Sequence, residues 1–487
     1  MQKKIGFVLG PLSFFFILLL NPFDGLSDAG RAVLSATFWI AIWWITEAIP
    51  IAATALLPIV LFPLSGGMEL TTTTAAFGHK YVFLYLGGFL IAIGIEKWNL
   101  HKRIAINIIA FIGSDVRKVI LGFMLATAFL SMWISNTATS VMMLPIGIAI
   151  IKELKDNPAT VKDENKTFGK ALMLGIAYSA SIGGVATLIG TPPNLVLAGV
   201  IAETYNYEIS FSEWFLFGFP ISLILLIFCW FYLTRIAYTF KQTEFPGGKQ
   251  EIQRLKKALG PISYEECLVA IVFALAGFCW ISRSYLLQDF LPALDDTIVA
   301  IAFGLILFVL PSKEKKSTLL NWKDTFQLPW GIIILFGGGM ALAKAFETSG
   351  LAVWLGGLMT TFGGLPLFVL ILLLITAVNF LTEITSNLAT TAMLLPVLAP
   401  LALEVGVHPF GLMVGAAVAA SCAYMLPVAT PPNAVVFGSG YLKIPDMVSR
   451  GLALNIFSII LITIMVYWFL PVLWEINISE FPEGLTD

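Results

Sequence analysis

The sequence predicts an all-α, polytopic membrane protein built from two inverted repeats, with about 11 transmembrane helices. Three observations lead to this fold class. The chain of 487 residues is 58% hydrophobic and only 12% charged, whereas soluble domains carry about 25% charged residues. A polar motif, Ser135-Asn136-Thr137, returns as Ser386-Asn387-Leu388, 251 residues later and without a gap. Basic residues flank the first copy but not the second, which indicates opposite sides of the membrane.

The first element is a transmembrane helix within residues 1–25, predicted from Lys3 and Lys4 followed by an apolar run. A cleaved signal peptide has a similar layout, but Asn21-Pro22-Phe23 offers no cleavage site of small residues. Because lysines mark the cytoplasmic side of a membrane helix, we expect the N-terminus to lie inside.

The first repeat covers residues 26–236 and contains a re-entrant hairpin at 118–151. Several apolar segments in it are shorter than the roughly 20 residues that span a bilayer. Short, interrupted segments at matching places of two halves are typical of broken helices around a transporter site. Arg117 precedes the hairpin and Lys152 follows it, so both of its ends are predicted to be cytoplasmic.

A polar linker, residues 237–262, separates the repeats, and its basic residues predict a cytoplasmic location. The second repeat covers residues 263–487. Its hairpin, 366–404, has no lysine or arginine close by and is expected to enter from the outside. Two hairpins approaching from opposite faces form an inverted-repeat arrangement. Parallel repeats are the alternative arrangement.

A second pair of motifs follows the two hairpins: Thr191-Pro192-Pro193-Asn194 and Thr430-Pro431-Pro432-Asn433. Paired prolines cannot continue a helix, because they lack N–H groups and restrict the residue before them. Each motif should therefore unwind a membrane helix halfway. Half-helix N-termini offer N–H groups to a carboxylate, and half-helix C-termini offer carbonyl oxygens to a sodium ion. The motifs thus predict a site for an anion and cations near the membrane midplane.

Together the motifs resemble those of the divalent anion/sodium symporter family. The resemblance rests on the run Trp43 to Pro50, the two Ser-Asn tips, Ser181-Ile182-Gly183-Gly184 and the two Thr-Pro-Pro-Asn turns. It covers nearly the whole chain. It implies sodium-coupled symport of C4-dicarboxylates such as succinate, fumarate and malate, by an elevator-type motion of a transport part against a scaffold. It also implies a homodimer in the cell membrane, with substrate, sodium ions and lipid as partners and with no nucleic acid or organic cofactor.

The resemblance also implies which residues form the site. Its substrate contacts are Ser135, Asn136, Thr137, Ser386, Asn387, Leu388, Thr430 and Pro431. Its first sodium site consists of Ser131, Ser135, Asn136 and Gly184. Its second sodium site consists of Thr382, Asn387, Ala429 and Thr430. Leu388 stands where many members carry threonine, which removes a hydroxyl contact and bears on the preferred substrate.

No lysine or arginine lies within the four motifs. The positive charge that a dianion needs must then come from helix N-termini and from bound cations. An asparagine side chain provides both a donor and an acceptor, so it can bridge an ion and a substrate. We therefore expect anion binding to depend on sodium.

Several other functions stay open at this point. The same fold could serve a sodium-independent dicarboxylate exchanger, or a citrate or sulfate carrier. An intramembrane serine enzyme would need a base beside its nucleophile, but His79, His101 and His408 are far from every motif in sequence. A passive channel does not explain two inverted copies of the same motif.

Some polar residues have a structural interpretation. Serine and threonine in membrane helices usually bond to the carbonyl one turn earlier, which we expect of Thr139, Ser140, Thr390 and Thr391. Glu47 and Glu383 sit next to helix breaks, where we expect them to cap backbone or steady a hairpin rather than carry protons. The three histidines lie near the ends of apolar segments, and we expect them on the solvated surface.

Overall fold

The computed structural model describes residues 2–113, 115–156, 162–240, 248–314, 317–358 and 364–482. These residues are almost entirely helical, and one short β-hairpin among them pairs Pro311–Ser312 with Ser317–Thr318. Nine helices in the described ranges are long and apolar enough to cross a membrane, and four shorter apolar helices accompany them. The prediction of an all-α polytopic membrane protein is confirmed.

The chain begins with α1 (Gln2–Leu20), which packs along α2 (Asp28–Thr46). The indole Nε1 of Trp43 donates to the carbonyl of Gly6 at 3.0 Å, so the two helices lie in close contact. The other helices of the first half are α3 (Ile51–Thr54), α4 (Leu57–Ser65), α5 (Leu70–Ala75), α6 (Lys80–Lys97), α7 (Leu100–Ile112), α8 (Val116–Ser131), α9 (Asn136–Asp156), α10 (Lys162–Val185), α11 (Pro192–Tyr205) and α12 (Phe211–Phe231).

Part of the polar segment between the halves is helical. Helix α13 (Gly248–Ala258) packs against α7 and α9. It buries Glu251 and Ile252 and exposes the basic residues Arg254, Lys256 and Lys257. Residues 241–247 of the predicted linker lie outside the described ranges. The linker helix therefore rests on the hairpin that the sequence places at the cytoplasmic face.

The second half repeats the order of the first. Its helices are α14 (Tyr264–Ser282), α15 (Gln288–Phe290), α16 (Asp296–Val309), α17 (Trp330–Thr348), α18 (Leu351–Leu358), α19 (Leu367–Leu381), α20 (Asn387–Val405), α21 (Pro409–Ala420), α22 (Pro431–Phe437), α23 (Ile444–Ile464) and α24 (Leu470–Leu473). Helices α6 to α9 correspond to α17 to α20 at the spacing of the Ser-Asn motifs. Helices α12 and α23 each continue into a π-helical turn.

The order of the elements fits two inverted halves. Between α6 and α17 the chain forms a hairpin and then the elements α10–α11, α12, α14 and α16. A hairpin that enters and leaves one face, followed by four crossings, would make α17 run opposite to its counterpart α6. The inversion that the flanking charges predict stays a prediction, which this order supports.

The two halves interlock through equivalent glycines. A Cβ atom on Gly87 of α6 would lie 2.5 Å from the backbone carbonyl carbon of Ala300 on α16. A Cβ atom on Gly338 of α17 would lie 2.5 Å from the carbonyl oxygen of Ala55, which follows α3. No side chain fits at either crossing without displacing backbone. Each half thus closes on the other through the same kind of contact.

The expectation that the histidines lie on the solvated surface is wrong for His101 and His408, both of which are only 4% exposed. Nδ1 of His408 accepts a hydrogen bond from the backbone N–H of Phe410 at 3.3 Å, at the start of α21. Burial lowers the pKa of His408 to about 4, so this side chain is neutral at physiological pH and caps a helix.

Candidate functional site

Each hairpin turns at one of the Ser-Asn motifs. Helix α8 ends at Ser131 and α9 begins at Asn136, while α19 ends at Leu381 and α20 begins at Asn387. The motif asparagines therefore open the second helix of each hairpin. The first N–H groups of a helix have no partner within it, so these turns present donors to a ligand.

Ser131 and Asn136 close the first tip. Ser131 Oγ lies 2.6 Å from Asn136 Oδ1 and 2.6 Å from the carbonyl oxygen of Ala180. The same end of the Asn136 amide faces the carbonyl oxygen of Gly190; with nitrogen placed there, it donates to Ala180 at 3.1 Å and to Gly190 at 3.2 Å. With the amide oxygen placed there, it faces the oxygens of Ser131, Ala180 and Gly190, and the Ser131 hydroxyl supplies the single proton among these four atoms. Carbonyl oxygens at helix breaks coordinate sodium in membrane transporters, so that arrangement would suit a cation.

Thr382 and Asn387 repeat this geometry at the second tip. Thr382 Oγ1 lies 2.8 Å from Asn387 Oδ1 and donates to the carbonyl of Ala420 at 3.0 Å. Ser131 and Thr382 are equivalent positions of the repeat, and Ala180 and Ala420 are both near the ends of their helices. A hydroxyl, an asparagine amide and a backbone carbonyl therefore converge twice, once in each half.

The Thr-Pro-Pro-Asn motifs coincide with the helix breaks that the prolines predicted. Helix α10 ends at Val185 and α11 begins at Pro192, and α21 ends at Ala420 while α22 begins at Pro431. Because proline lacks an N–H group, it fits the first turn of a helix, where that group would be unpaired. Each break thus supplies both a helix C-terminus and a helix N-terminus to the site.

The asparagines of these motifs brace the breaks. Asn194 Nδ2 donates to the carbonyls of Gly184 at 3.2 Å and Thr187 at 2.8 Å. Asn433 Nδ2 donates to the carbonyls of Ala423 at 3.4 Å and Leu426 at 3.0 Å. Neither asparagine was among the predicted site residues, although their recurrence in the two motifs was a signal for such a role.

Other predicted residues of the first sodium site lie at the same tip. A Cβ atom on Gly184 would fall 2.6 Å from Asn136 Oδ1, so only glycine fits beside that amide. Ser135 Oγ accepts a hydrogen bond from the backbone N–H of Ala138 at 3.3 Å. Ser131, Ser135, Asn136 and Gly184 are thus gathered by the turn and by α10.

The predicted residues of the second break show the corresponding local order. The backbone N–H of Ala429 donates to the Leu426 carbonyl at 3.2 Å. Thr430 Oγ1 accepts from the backbone N–H of Asn433 at 3.3 Å and caps α22. Pro431 is exposed. The Thr430 hydroxyl oxygen thus accepts a hydrogen bond from α22, while its proton remains available to donate to a ligand.

The positions of Thr137 and Leu388 differ between the tips, although the repeat makes them equivalent. Thr137 is exposed, whereas Leu388 is only 5% exposed. Ser386 begins α20 without a side-chain capping bond, whereas Ser135 accepts one. The assignment of these residues to substrate contact stays a prediction.

The expected hydrogen bonds back along the helix are confirmed for two equivalent residues. Ser140 Oγ donates to the Asn136 carbonyl at 2.9 Å, and Thr391 Oγ1 donates to the Asn387 carbonyl at 2.8 Å. The expectation is wrong for Thr390, whose hydroxyl lies 2.6 Å from that of Thr385, and for Thr139, whose buried hydroxyl has no partner among the described residues. The Ser140 and Thr391 hydroxyls therefore support the tips from behind.

Each hairpin packs against the broken helix of the other repeat. Helix α9 contacts α22, and α20 contacts α11. The N-termini of all four helices carry a Ser-Asn or Thr-Pro-Pro-Asn motif. Since each helix N-terminus bears about half a positive charge, this junction suits an anion without a lysine or arginine.

Glu383 caps the second break, as the sequence predicted. Its carboxylate accepts from the backbone N–H groups of Tyr424 at 2.8 Å, Met425 at 2.9 Å and Leu426 at 3.0 Å. Glu47 behaves differently, since its half-exposed side chain lies 3.5 Å from Lys3 Nζ. Only the first of these two acids steadies a break.

A group of ion pairs connects α11, which carries the site, to helices that do not. Glu203 of α11 lies 3.0 Å from Lys344 of α17 and 3.8 Å from His79 at the start of α6. Lys80 pairs with Glu208, in the loop after α11, and with Asp295 at 3.1 Å. These contacts lie at the face where α6 begins and α11 ends.

Comparison with known proteins finds a family whose model matches almost the whole chain. The model of the family described as the sodium:sulfate symporter transmembrane region matches residues 2–475. The sodium-dependent dicarboxylate transporter SdcS of Staphylococcus saprophyticus is 46% identical over 484 residues, which cover 98% of this chain and 93% of that protein. The protein of the same name from Staphylococcus aureus strain USA300 has the same identity and coverage.

Two solved structures share the fold. MtrF of Neisseria gonorrhoeae matches with a TM-score of 0.59 and 14% identity, over 96% of this chain and 95% of that one. The YdaH transporter of Alcanivorax borkumensis matches with a TM-score of 0.55 and 12% identity, over 89% of this chain and 98% of that one. At these identities the likeness concerns the fold alone.

Proposed function

The chain belongs to the family of the sodium:sulfate symporter transmembrane region, and from this premise we propose that it is a sodium-coupled symporter of C4-dicarboxylates such as succinate, fumarate and malate. It is a multi-pass protein of the cell membrane. The relatives named as sodium-dependent dicarboxylate transporters match it over nearly its full length. Their name supports both the ion and the substrate class.

The observation that carries the proposal is the repeated oxygen cluster. Ser131 with Asn136, and Thr382 with Asn387, each bring a hydroxyl and an asparagine amide to a backbone carbonyl at a helix end. Neutral oxygens of this kind replace the water around a sodium ion. Two equal clusters support at least two sodium sites, one in each repeat.

The anion is held by dipoles and by the ions. The N-termini of α9, α11, α20 and α22 offer backbone N–H groups to the carboxylates. Sodium bound beside Asn136 and Asn387 adds full positive charges within the same turns. The four motifs contain no lysine or arginine. Affinity for the dianion therefore rises when sodium is bound and falls when sodium leaves.

An elevator-type motion and a homodimer belong to the same proposal. The two hairpins and the two broken helices pack on one another across the repeats, which suits movement as one body. The ion pairs Glu208–Lys80 and Glu203–Lys344 bridge this body to α6 and α17. Such exposed or half-exposed pairs contribute little each, so they can break and re-form during transport.

Uptake of labelled succinate into sealed vesicles containing the purified protein tests the function. We expect accumulation above the outside concentration only under an inward sodium gradient, and none when choline replaces sodium. Accumulation that is equal in choline would overturn the proposal.

The same vesicles separate the alternatives. A sodium-independent exchanger would take up label only when unlabelled dicarboxylate is loaded inside. A citrate or sulfate carrier would show its highest competition with those anions rather than with succinate. A channel would equilibrate succinate without concentrating it.

A further inference from the structure

We propose that Glu383 supplies the fixed negative charge that makes the second sodium site the stronger one, so that it fills before the first sodium site. This inference rests on the proposed function and concerns the same site. Glu383 follows Thr382 directly in the chain, and Thr382 contributes the hydroxyl of the second oxygen cluster. None of the predicted site residues carries a charge of its own.

The carboxylate of Glu383 is built into the protein. It is 4% exposed and accepts from three consecutive backbone N–H groups, those of Tyr424, Met425 and Leu426. Asn455 Nδ2 donates to it as a fourth partner at 2.8 Å. All four neighbours donate hydrogen bonds, and an ionised carboxylate can only accept them. The charge is therefore solvated by the protein but not neutralised.

Glu383 differs in this respect from the buried acids Asp296 and Glu266. Asp296 lies 2.7 Å from Arg283, and Glu266 lies 2.9 Å from Arg103. Within the described ranges, by contrast, no lysine, arginine or histidine forms an ion pair with Glu383. An uncompensated buried charge at membrane depth is costly. A sodium ion held by the neighbouring Thr382 cluster would supply the positive charge that no basic side chain provides to Glu383.

The first repeat has no such charge. At the offset of 251 residues between the Ser-Asn motifs, the position equivalent to Glu383 is Met132. Asn379, whose Nδ2 donates to the Cys422 carbonyl at 2.7 Å, corresponds to Ala128. The polar network behind the second tip is thus replaced by apolar or uncharged residues behind the first. The oxygen clusters match, but the electrostatic potential around them does not.

The size of this difference follows from the chain itself. Thr382 and Glu383 are consecutive, so a cation at the Thr382 cluster lies within roughly 10 Å of the carboxylate. Unit charges at that separation change a binding constant about tenfold at the effective dielectric of protein sites. Sodium should therefore occupy the second site at concentrations where the first is empty. The dianion and the first sodium ion then bind a tip junction that already carries one cation.

The test measures sodium binding without substrate. Purified protein is titrated with sodium chloride against choline chloride at constant ionic strength, and the rise in melting temperature gives the half-saturating sodium concentration. We expect Glu383→Gln to raise that concentration at least tenfold, and Glu383→Asp, which keeps the charge, to change it less than threefold. Glu404→Gln, the same substitution at the exposed end of the same hairpin, is the matched control and should titrate like the wild type.

The order of filling is tested by two further variants, which also serve if Glu383→Gln does not fold. Without substrate, Ser131→Ala should keep the rise in melting temperature at low sodium concentration, and Thr382→Ala should lose that rise. The inference is overturned if Glu383→Gln titrates like the wild type, or if the response depends on Ser131 and not on Thr382. Succinate uptake by the wild type that needs no sodium would instead remove the proposed function itself.

Discussion

Asn136 and Asn387 occupy the same place in the two hairpins, since each amide is bonded to a hydroxyl five residues earlier, at 2.6 Å from Ser131 and at 2.8 Å from Thr382. Each asparagine also opens the second helix of its hairpin. One side chain thereby links the turn, a backbone carbonyl and the start of a helix. Two sites with one geometry mean that damage to either tip should stop coupled transport.

Asn136→Ala and Asn387→Ala are each expected to reduce sodium-driven succinate uptake at least a hundredfold. Each removes an oxygen ligand and a donor that the resemblance assigns to sodium and substrate, and leaves the helices in place. Uptake into vesicles, with protein inserted at wild-type amounts, measures the effect. Asn107→Ala, at an exposed amide on α7, should transport normally. Normal transport by either tip variant would remove the site from these motifs.

Leu388→Thr is expected to change which dicarboxylates compete for transport. The substitution restores the hydroxyl that Thr137 has at the equivalent position, where Leu388 is buried. Competition of succinate uptake by fumarate, malate and citrate measures the change. Leu388→Val, which shortens the side chain without a hydroxyl, controls for packing. An identical competition profile in the threonine variant and the valine variant would show that position 388 only fills space.

Gly184→Ala is expected to raise the half-saturating sodium concentration for uptake at least tenfold. The added Cβ would lie 2.6 Å from Asn136 Oδ1 and 3.1 Å from the Gly190 carbonyl oxygen, so the first oxygen cluster must open. Gly357→Ala, where no atom lies within 4 Å of the added Cβ, is the matched control. Unchanged sodium dependence in Gly184→Ala would mean that the cluster is not a sodium site.

Asp296→Asn is expected to lower the free energy of unfolding by about 3 kcal/mol, because it leaves a buried arginine without its partner. Arg283 Nε lies 2.7 Å from Asp296, and both side chains are less than 10% exposed. The melting temperature in detergent checks the loss. Asp28→Asn breaks the exposed pair with Arg31 and should cost under about 1 kcal/mol. Equal melting temperatures for the two variants would contradict this reasoning.

Glu203→Gln is expected to speed the exchange of labelled for unlabelled succinate about two- to fivefold. It removes the ion pair between Glu203 of α11 and Lys344 of α17, which is worth up to about 1 kcal/mol. The initial rate of exchange across vesicles measures this. Glu69→Gln, an exposed acid before α5, should exchange at the wild-type rate. A slower rate in Glu203→Gln would show that the pair forms only in the transition between states.

The elements that the sequence predicted best are those with a signal that repeats. The Ser-Asn tips and the Thr-Pro-Pro-Asn breaks lie within a residue of their predicted places, because proline and the offset between copies locate them. The inversion that the flanking charges predict fits the order of the helices and stays a prediction. Reasoning from composition and spacing was enough for the fold.

Features without a repeated signal were missed. Helix α13 was hidden in a polar segment, because only Glu251 and Ile252 of its inner face are fully buried. The network of Asn379, Asn455 and Glu383 joins residues from three elements. In the other repeat, the apolar residues Met132 and Ala128 stand at the positions of Glu383 and Asn379. Such pairings depend on tertiary contact and leave no mark in a linear pattern.

The glycine crossings between the halves have a consequence for how the protein is made. Gly87 packs on Ala300, which is synthesised 213 residues later. At roughly 5–20 residues per second, α6 waits between about ten and forty seconds for its partner. During that interval the emerging chain must keep a small-residue groove covered by lipid, by the insertion machinery or by a temporary neighbour. A bulkier residue at position 87 would therefore disturb folding during synthesis before it affects the finished structure.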